Sequence, residues 1–177
     1  MKKSIILGLF LTFTAFTSAF AQRFGYVDSD YILKHIPEYT SVQKQLGALS
    51  QQWQKEVDGR FQEIDRLYKA YQADQVLMTA DMKKRREAEI VGKEKEAKDF
   101  QRLKFGPDGE LTQKSNALIK PIQDRVSKAI QAVAESETLD MIFDKNSDVT
   151  MLYANPRLDK SADVITRLGL KPGVFAK

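Results

Sequence analysis

Cysteine is absent from the chain, which excludes disulfide staples and thiolate metal sites. A small domain without either must draw its stability from packing or from association with other copies. There is one histidine, His35, with no cysteine or serine motif beside it. It reads as a surface or boundary residue, not as the base of a catalytic centre. No glycine-rich phosphate loop occurs. Gly106-Pro107-Asp108-Gly109 is better read as a helix interruption. No proline occurs between Glu38 and Phe105. Beyond the N-terminal stretch there is no second long apolar run, so the mature protein is expected to be soluble.

The carboxylates are the remaining catalytic or metal candidates. Asp28 lies close to Asp30 in sequence, and Asp140, Asp144 and Asp148 cluster further on. Asp144-x-Asn146-x-Asp148 resembles the start of a calcium loop. It has Val149 where the glycine belongs and Asn155 where a bidentate glutamate belongs, so it reads as turn chemistry. No catalytic residue, metal or cofactor is expected, and the chain reads as a non-enzyme.

The first residues carry an export pattern. Lys2 and Lys3 precede the apolar Ile5–Phe20, and Ala19-Phe20-Ala21 fits the small-x-small cleavage rule. The alternative is a membrane anchor. The short apolar core with its hydroxyl residues favours cleavage after Ala21. Residues 1–21 are therefore expected to be a signal peptide and 22–177 the mature chain, in the periplasm. Loss of Lys2 and Lys3 lowers the formal net charge of +4 by two, so local charge matters more than the total.

The proline-free run from Glu38 is rich in Gln, Lys, Glu, Arg and Ala. Its apolar residues are Val42, Leu46, Leu49, Trp53, Val57, Phe61, Ile64, Tyr68 and Tyr71. They recur every ~3.6 residues, the period of a straight helix with a thin apolar stripe. Pro37 suits the first turn of that helix. The pattern changes across Val76-Leu77-Met78, and Thr79 can cap a second helix with Asp81 in its first turn. A reversal is expected here, the alternative being one continuous helix. Densely charged sequence follows to Phe105, and helical spacing resumes after Gly109 with Leu111, Leu118, Ile122, Val126, Ile130 and Val133. Pro121 offers a second kink. The first limb would reach about 58 Å, whereas a globular domain of this length has a radius of gyration of about 15 Å. The hairpin must protrude. The assigned arm is 38–120, and the body is 22–37 together with 121–177.

The body is expected to hold short strands. Phe24-Gly25-Tyr26-Val27-Asp28 alternates as a strand. Leu139–Asp144 and Val149–Ala154, joined by Lys145-Asn146-Ser147-Asp148, read as a β-hairpin. Asp159 or Ser161 can cap a short helix that ends at Gly169. So few strands cannot cover both faces of a sheet, and sharing them among copies would solve that problem. The fold class is α+β, mostly α.

Lys83-Lys84-Arg85-Arg86 is the sharpest charge feature. One reading is a solvated helix face. The other is a basic tip, with Leu77 and Met78, that attracts acidic clients or an anionic lipid or lipopolysaccharide surface. Nucleic acid is disfavoured by export. The aromatic stripe of Trp53, Phe61, Tyr68 and Tyr71 reads either as hairpin core or as surface shared with unfolded chains.

With these parts in order, the mature chain resembles the Skp/OmpH family of periplasmic chaperones. The resemblance rests on Phe24–Asp28, the charged hairpin, Ile119-Lys120-Pro121-Ile122 with Ala129-Ile130, and the closing Leu139–Asp144. It implies a homotrimer whose strands form a central barrel. An antiparallel coiled-coil hairpin would project from each subunit around a cavity. It also implies ATP-independent holding of unfolded outer-membrane β-barrel proteins before insertion. A structural or tethering coiled-coil protein of the envelope is the alternative, and a hydrolase or lipid-modifying enzyme a third.

Overall fold

The computed structural model describes residues 22–147 and 151–176. The expected signal peptide, residues 1–21, lies outside the described residues. The order is β1 (Phe24–Val27), α1 (Ser29–Lys34), α2 (Pro37–Asp74), α3 (Ala80–Phe105), α4 (Glu110–Ser136), β2 (Met141–Asp144), a 3-10 turn (Pro156–Leu158) and α5 (Ser161–Arg167). Among the described residues no helix is long and apolar enough to cross a membrane.

The arm follows the local signals. Pro37 opens α2, whose 38 residues span about 57 Å. The chain reverses after Asp74, and Thr79 caps α3 by accepting a 3.3 Å hydrogen bond from the Met82 N–H. The break at Gly106–Gly109 is real. A Cβ on Gly106 would lie 2.5 Å from the Arg102 carbonyl oxygen, and one on Gly109 would lie 2.8 Å from the Gly106 nitrogen. Only glycine lets the backbone approach itself so closely. Pro121 sits inside α4, and the helix runs on to Ser136.

The body corrects the expected sheet. β1 and β2 pair in parallel, Phe24 opposite Met141 and Val27 opposite Asp144. A parallel pair needs a long crossover, and the whole arm serves as that crossover. The predicted hairpin partner is not a strand: Met151–Ala154 carries no strand, with Leu152 and Tyr153 strongly exposed, while Val149 and Thr150 lie outside the described residues. The barrel is corrected too. Among the described residues the sheet is open and has two strands, not a closed or trimeric barrel. β1 is flanked on both sides within its own chain, by β2 and by a bridge from Tyr26 to Asp159. A sheet so small, with its inner strand already occupied, cannot close on itself.

The core lies where α4 meets α1 and α5. Ile122, Val126, Ala129 and Val133 of α4 pack with Ile32, Leu33, Ile36, Val164 and Ile165. Ala129 takes the buried place that the spacing gave to Ile130. Helix α5 ends in a left-handed Gly169 (φ 79°), with hydrogen bonds from Gly169 N–H to the Thr166 carbonyl and from Leu170 N–H to the Ile165 carbonyl. That pattern is a Schellman cap.

His35 is buried, not peripheral. Its Nδ1 lies 2.8 Å from the Tyr31 carbonyl oxygen, and its Nε2 accepts from the Gly173 N–H at 3.0 Å. With Nδ1 donating and Nε2 accepting, the ring is satisfied as the neutral Nδ1–H tautomer. Its role is to hold the C-terminal segment against α1.

Candidate client-binding surface

The arm divides its apolar stripe between inside and outside. Trp53, Val57 and Ile64 are buried, whereas Phe61 is 38% and Tyr68 50% exposed. Ile64 packs with Ile90 and Ala97 of α3, with Leu67 and Tyr71 at the margin. The Tyr71 hydroxyl donates to Glu87 across the hairpin, and that bond holds the phenol above its usual ionisation range. Lys93 reaches Glu63 at 3.4 Å. Nearer the body, Arg125 of α4 donates to Glu38 of α2 at 3.1 Å, which holds the Glu38 carboxyl below its usual range.

This thin interior leaves large apolar groups facing water along the limbs: Phe61, Tyr68, Val91, Leu103 and Leu118. Sequence reasoning placed Phe61 and Tyr68 in one stripe with Trp53 without separating them. It missed Val91 as a surface group, because an isolated Val in a charged helix carries no periodic signal.

The tip gathers the residues that the sequence marked. Leu77 lies in the turn and is 87% exposed, and Met78 beside it is half-buried. Lys83, Lys84, Arg85 and Arg86 follow in the first turns of α3. Arg86 is paired with Glu89 at 2.7 Å. Among the described residues, Lys83, Lys84 and Arg85 make no ion pair. Val76, 85% exposed, and Met82, 53% exposed, belong to the same surface. The sequence signal for Val76 was the apolar Val76-Leu77-Met78 run in polar surroundings. The tip thus combines flexible or branched apolar side chains with unneutralised cations.

Of the carboxylates raised as catalytic candidates, Asp28 and Asp144 make structural hydrogen bonds. Asp28 caps α1, accepting from the Tyr31 N–H at 2.9 Å, and it also accepts from Asn146 at 2.7 Å. Burial opposes its ionisation, but these bonds and the charge of Lys145 outweigh that and hold its carboxyl below the usual value. Asp144 accepts from the Ser29 and Asn146 amides. Asp148 lies outside the described residues. Among the described residues no group of three or more His, Cys, Asp or Glu could hold a metal.

The architecture is thus a small open sheet carrying a long three-helix arm, with apolar side chains exposed on the arm. The family model "Outer membrane protein (OmpH-like)" matches residues 23–168. The chain belongs to this family, the Skp/OmpH periplasmic chaperones. Its fold is similar to the crystal structure of a chain described as an OmpH-like outer membrane chaperone, from Caulobacter crescentus CB15. The TM-score is 0.63 at 17% identity, covering 89% of this chain and 90% of that one. At that identity the likeness speaks for the fold. No match is found among curated proteins.

Proposed function

We propose that the protein is an ATP-independent periplasmic holdase that binds unfolded outer-membrane β-barrel proteins and prevents their aggregation before insertion. The observation that carries this reading is the set of exposed apolar side chains on a protruding arm, with Phe61, Tyr68, Val91 and Leu103 facing water. A holdase without fuel needs many weak contacts. Each contributes little, and together they bind tightly because they act at once. As a client folds, it withdraws its apolar surface, and release follows by mass action.

In this reading residues 1–21 are removed after Ala21, the arm is 38–120, and the chain works as a homotrimer. The open sheet supports association, since Phe24, Met141, Phe143 and Leu158 are exposed on and beside it. Leu77, Met78, Lys83, Lys84, Arg85 and Arg86 make first contact. The unneutralised charge of Lys83, Lys84 and Arg85 attracts acidic clients over long range. The same charge would hold an anionic lipid or lipopolysaccharide surface.

The test dilutes a denatured outer-membrane β-barrel protein with and without the mature chain and follows light scattering. Suppressed scattering at stoichiometric amounts is the expected result. Unchanged scattering overturns the reading. Light scattering of the protein alone should give three times the mass of one mature chain, and N-terminal mass analysis of exported protein should begin at Gln22.

A further inference from the structure

Where α3 gives way to α4, the arm contains a cluster that neither the apolar stripe nor the tip accounts for. Lys104, in the last turn of α3, has a side chain only 15% exposed, and its Nζ is 2.6 Å from Glu110 Oε1 at the start of α4. The same ammonium sits 4.7 Å from the ring centre of Trp53 on α2 and 5.6 Å from that of Phe100. Phe105 meets Trp53 edge-on, with ring centres 6.3 Å apart and planes at 88°. Arg60 of α2 covers Phe100 at 4.3 Å. One cation therefore ties together all three helices of the arm.

We propose that this cluster is the lock of an elbow, and that Lys104 sets the angle between the outer and inner arm. The returning limb is already cut here by the Gly106–Gly109 turn, closed by the Gly109 N–H donating to the Gly106 carbonyl at 2.8 Å. Beside it lies an open cleft of about 570 Å³ lined by Asp99, Arg102 and Leu103 together with the turn. The opposite limb, α2, is continuous, so an elbow needs a soft point in it. Gly47 and Gly59, on either side of Trp53 in the chain, supply two: a Cβ at either would touch nothing, so packing does not explain these glycines, and glycine is the weakest helix former after proline.

A packed Leu or Met in place of Lys104 could contribute as much stability, but it would not fix one angle. What the ammonium adds is direction. It is favourable only where two ring faces and a carboxylate converge, and both charges suit the helix ends they occupy. Such a contact selects one geometry and, once opened, is readily exchanged for water. An arm locked this way stays extended when empty and adjusts its bend when a client competes for Trp53 and Phe100. That use rests on the holdase reading; the lock itself does not, and its test needs no client.

The absence of cysteine allows a spin-label pair at Gln75→Cys near the tip and Ser127→Cys in the body, measured in chains diluted with excess unlabelled protein. The parent should give a narrow distance distribution. Lys104→Met, which keeps the stem, and Glu110→Gln should both broaden it, and the emission of Trp53, the only tryptophan, should shift to the red in Lys104→Met. Lys104→Arg should restore the narrow distribution, because a guanidinium keeps both the pair and the ring contacts. If Lys104→Met fails to fold, Glu110→Gln decides. Distributions that superimpose on the parent in the variants that fold overturn the lock. So does Lys104→Arg broadening as much as Lys104→Met, since the cation would then not be the cause.

Discussion

In the body, Ile32, Ile36, Val164 and Ile165 have no exposed surface, and every element that meets there adds to one cluster. In the arm, the outer core is Ile64, Ile90 and Ala97, wrapped by charged residues. Both regions are largely helical, and the difference is how many sides of each helix are covered. Helix α4 is packed by α1 and α5 around it, whereas the outer arm is two limbs laid side by side, each with most of its circumference in water. The body can therefore hold one fixed geometry. The arm keeps only enough burial to stay helical and leaves apolar groups free for others. Regions with few buried contacts open locally at low free energy, which suits the client-binding role proposed for the arm.

The contrast is open to direct attack. The largest effect is expected from Ile36→Ala in the body. Loss of a fully buried side chain costs about 2–5 kcal/mol, and the whole domain should melt lower, as followed by circular dichroism. Ile90→Ala in the arm should cost about 2 kcal/mol, the low end of that range, because two limbs can relax towards each other. Its effect should be confined to amide exchange in α2 and α3. Equal global destabilisation by both variants would break the distinction between the regions.

Thr79→Ala removes the cap of α3 and should cost about 1 kcal/mol. Faster amide exchange should appear in its first turn, with the body unaffected. Asp28→Asn tests the body's joint between α1 and the β2 turn. The folded carboxyl is held below its usual value, so its contribution is complete above the unfolded carboxylate range. That contribution is lost as pH falls through the folded value. The variant should melt below the parent at neutral pH, and the gap should close in acid. Replacing Lys83, Lys84 and Arg85 together by Gln should change stability least, within about 0.5 kcal/mol. The expected change is in client capture, which should slow and lose its dependence on salt. Unaltered capture kinetics would remove the tip from the site.

Legibility followed the same division. The arm was readable because its signals are local. The period of Val42 to Tyr71, Pro37 at the helix start, Thr79 at the cap and Gly106–Gly109 at the break each act within a few residues, and the structure has all of them. The family resemblance was readable for the same reason, in the order of such segments. The sheet was misread. A strand pattern at Leu139–Asp144 shows that a strand forms, not which strand it meets, and the sequence neighbour Val149–Ala154 was the nearer guess. His35 looked peripheral because nothing nearby in sequence announces that Gly173 and Phe175 return to cover it.

What the amino-acid order decided alone was reach: where helices begin, turn and break, and that the limbs are long and thinly apolar. Hydrogen bonds within a helix and its caps are satisfied by neighbours in the chain, so those choices need no partner. The tertiary structure alone decided which aromatic groups of the stripe go inside, that β1 pairs with β2 in parallel across the arm, and that Lys104 closes onto Trp53. Each of these depends on segments far apart in sequence meeting at a fixed angle, and a one-dimensional pattern does not carry angles.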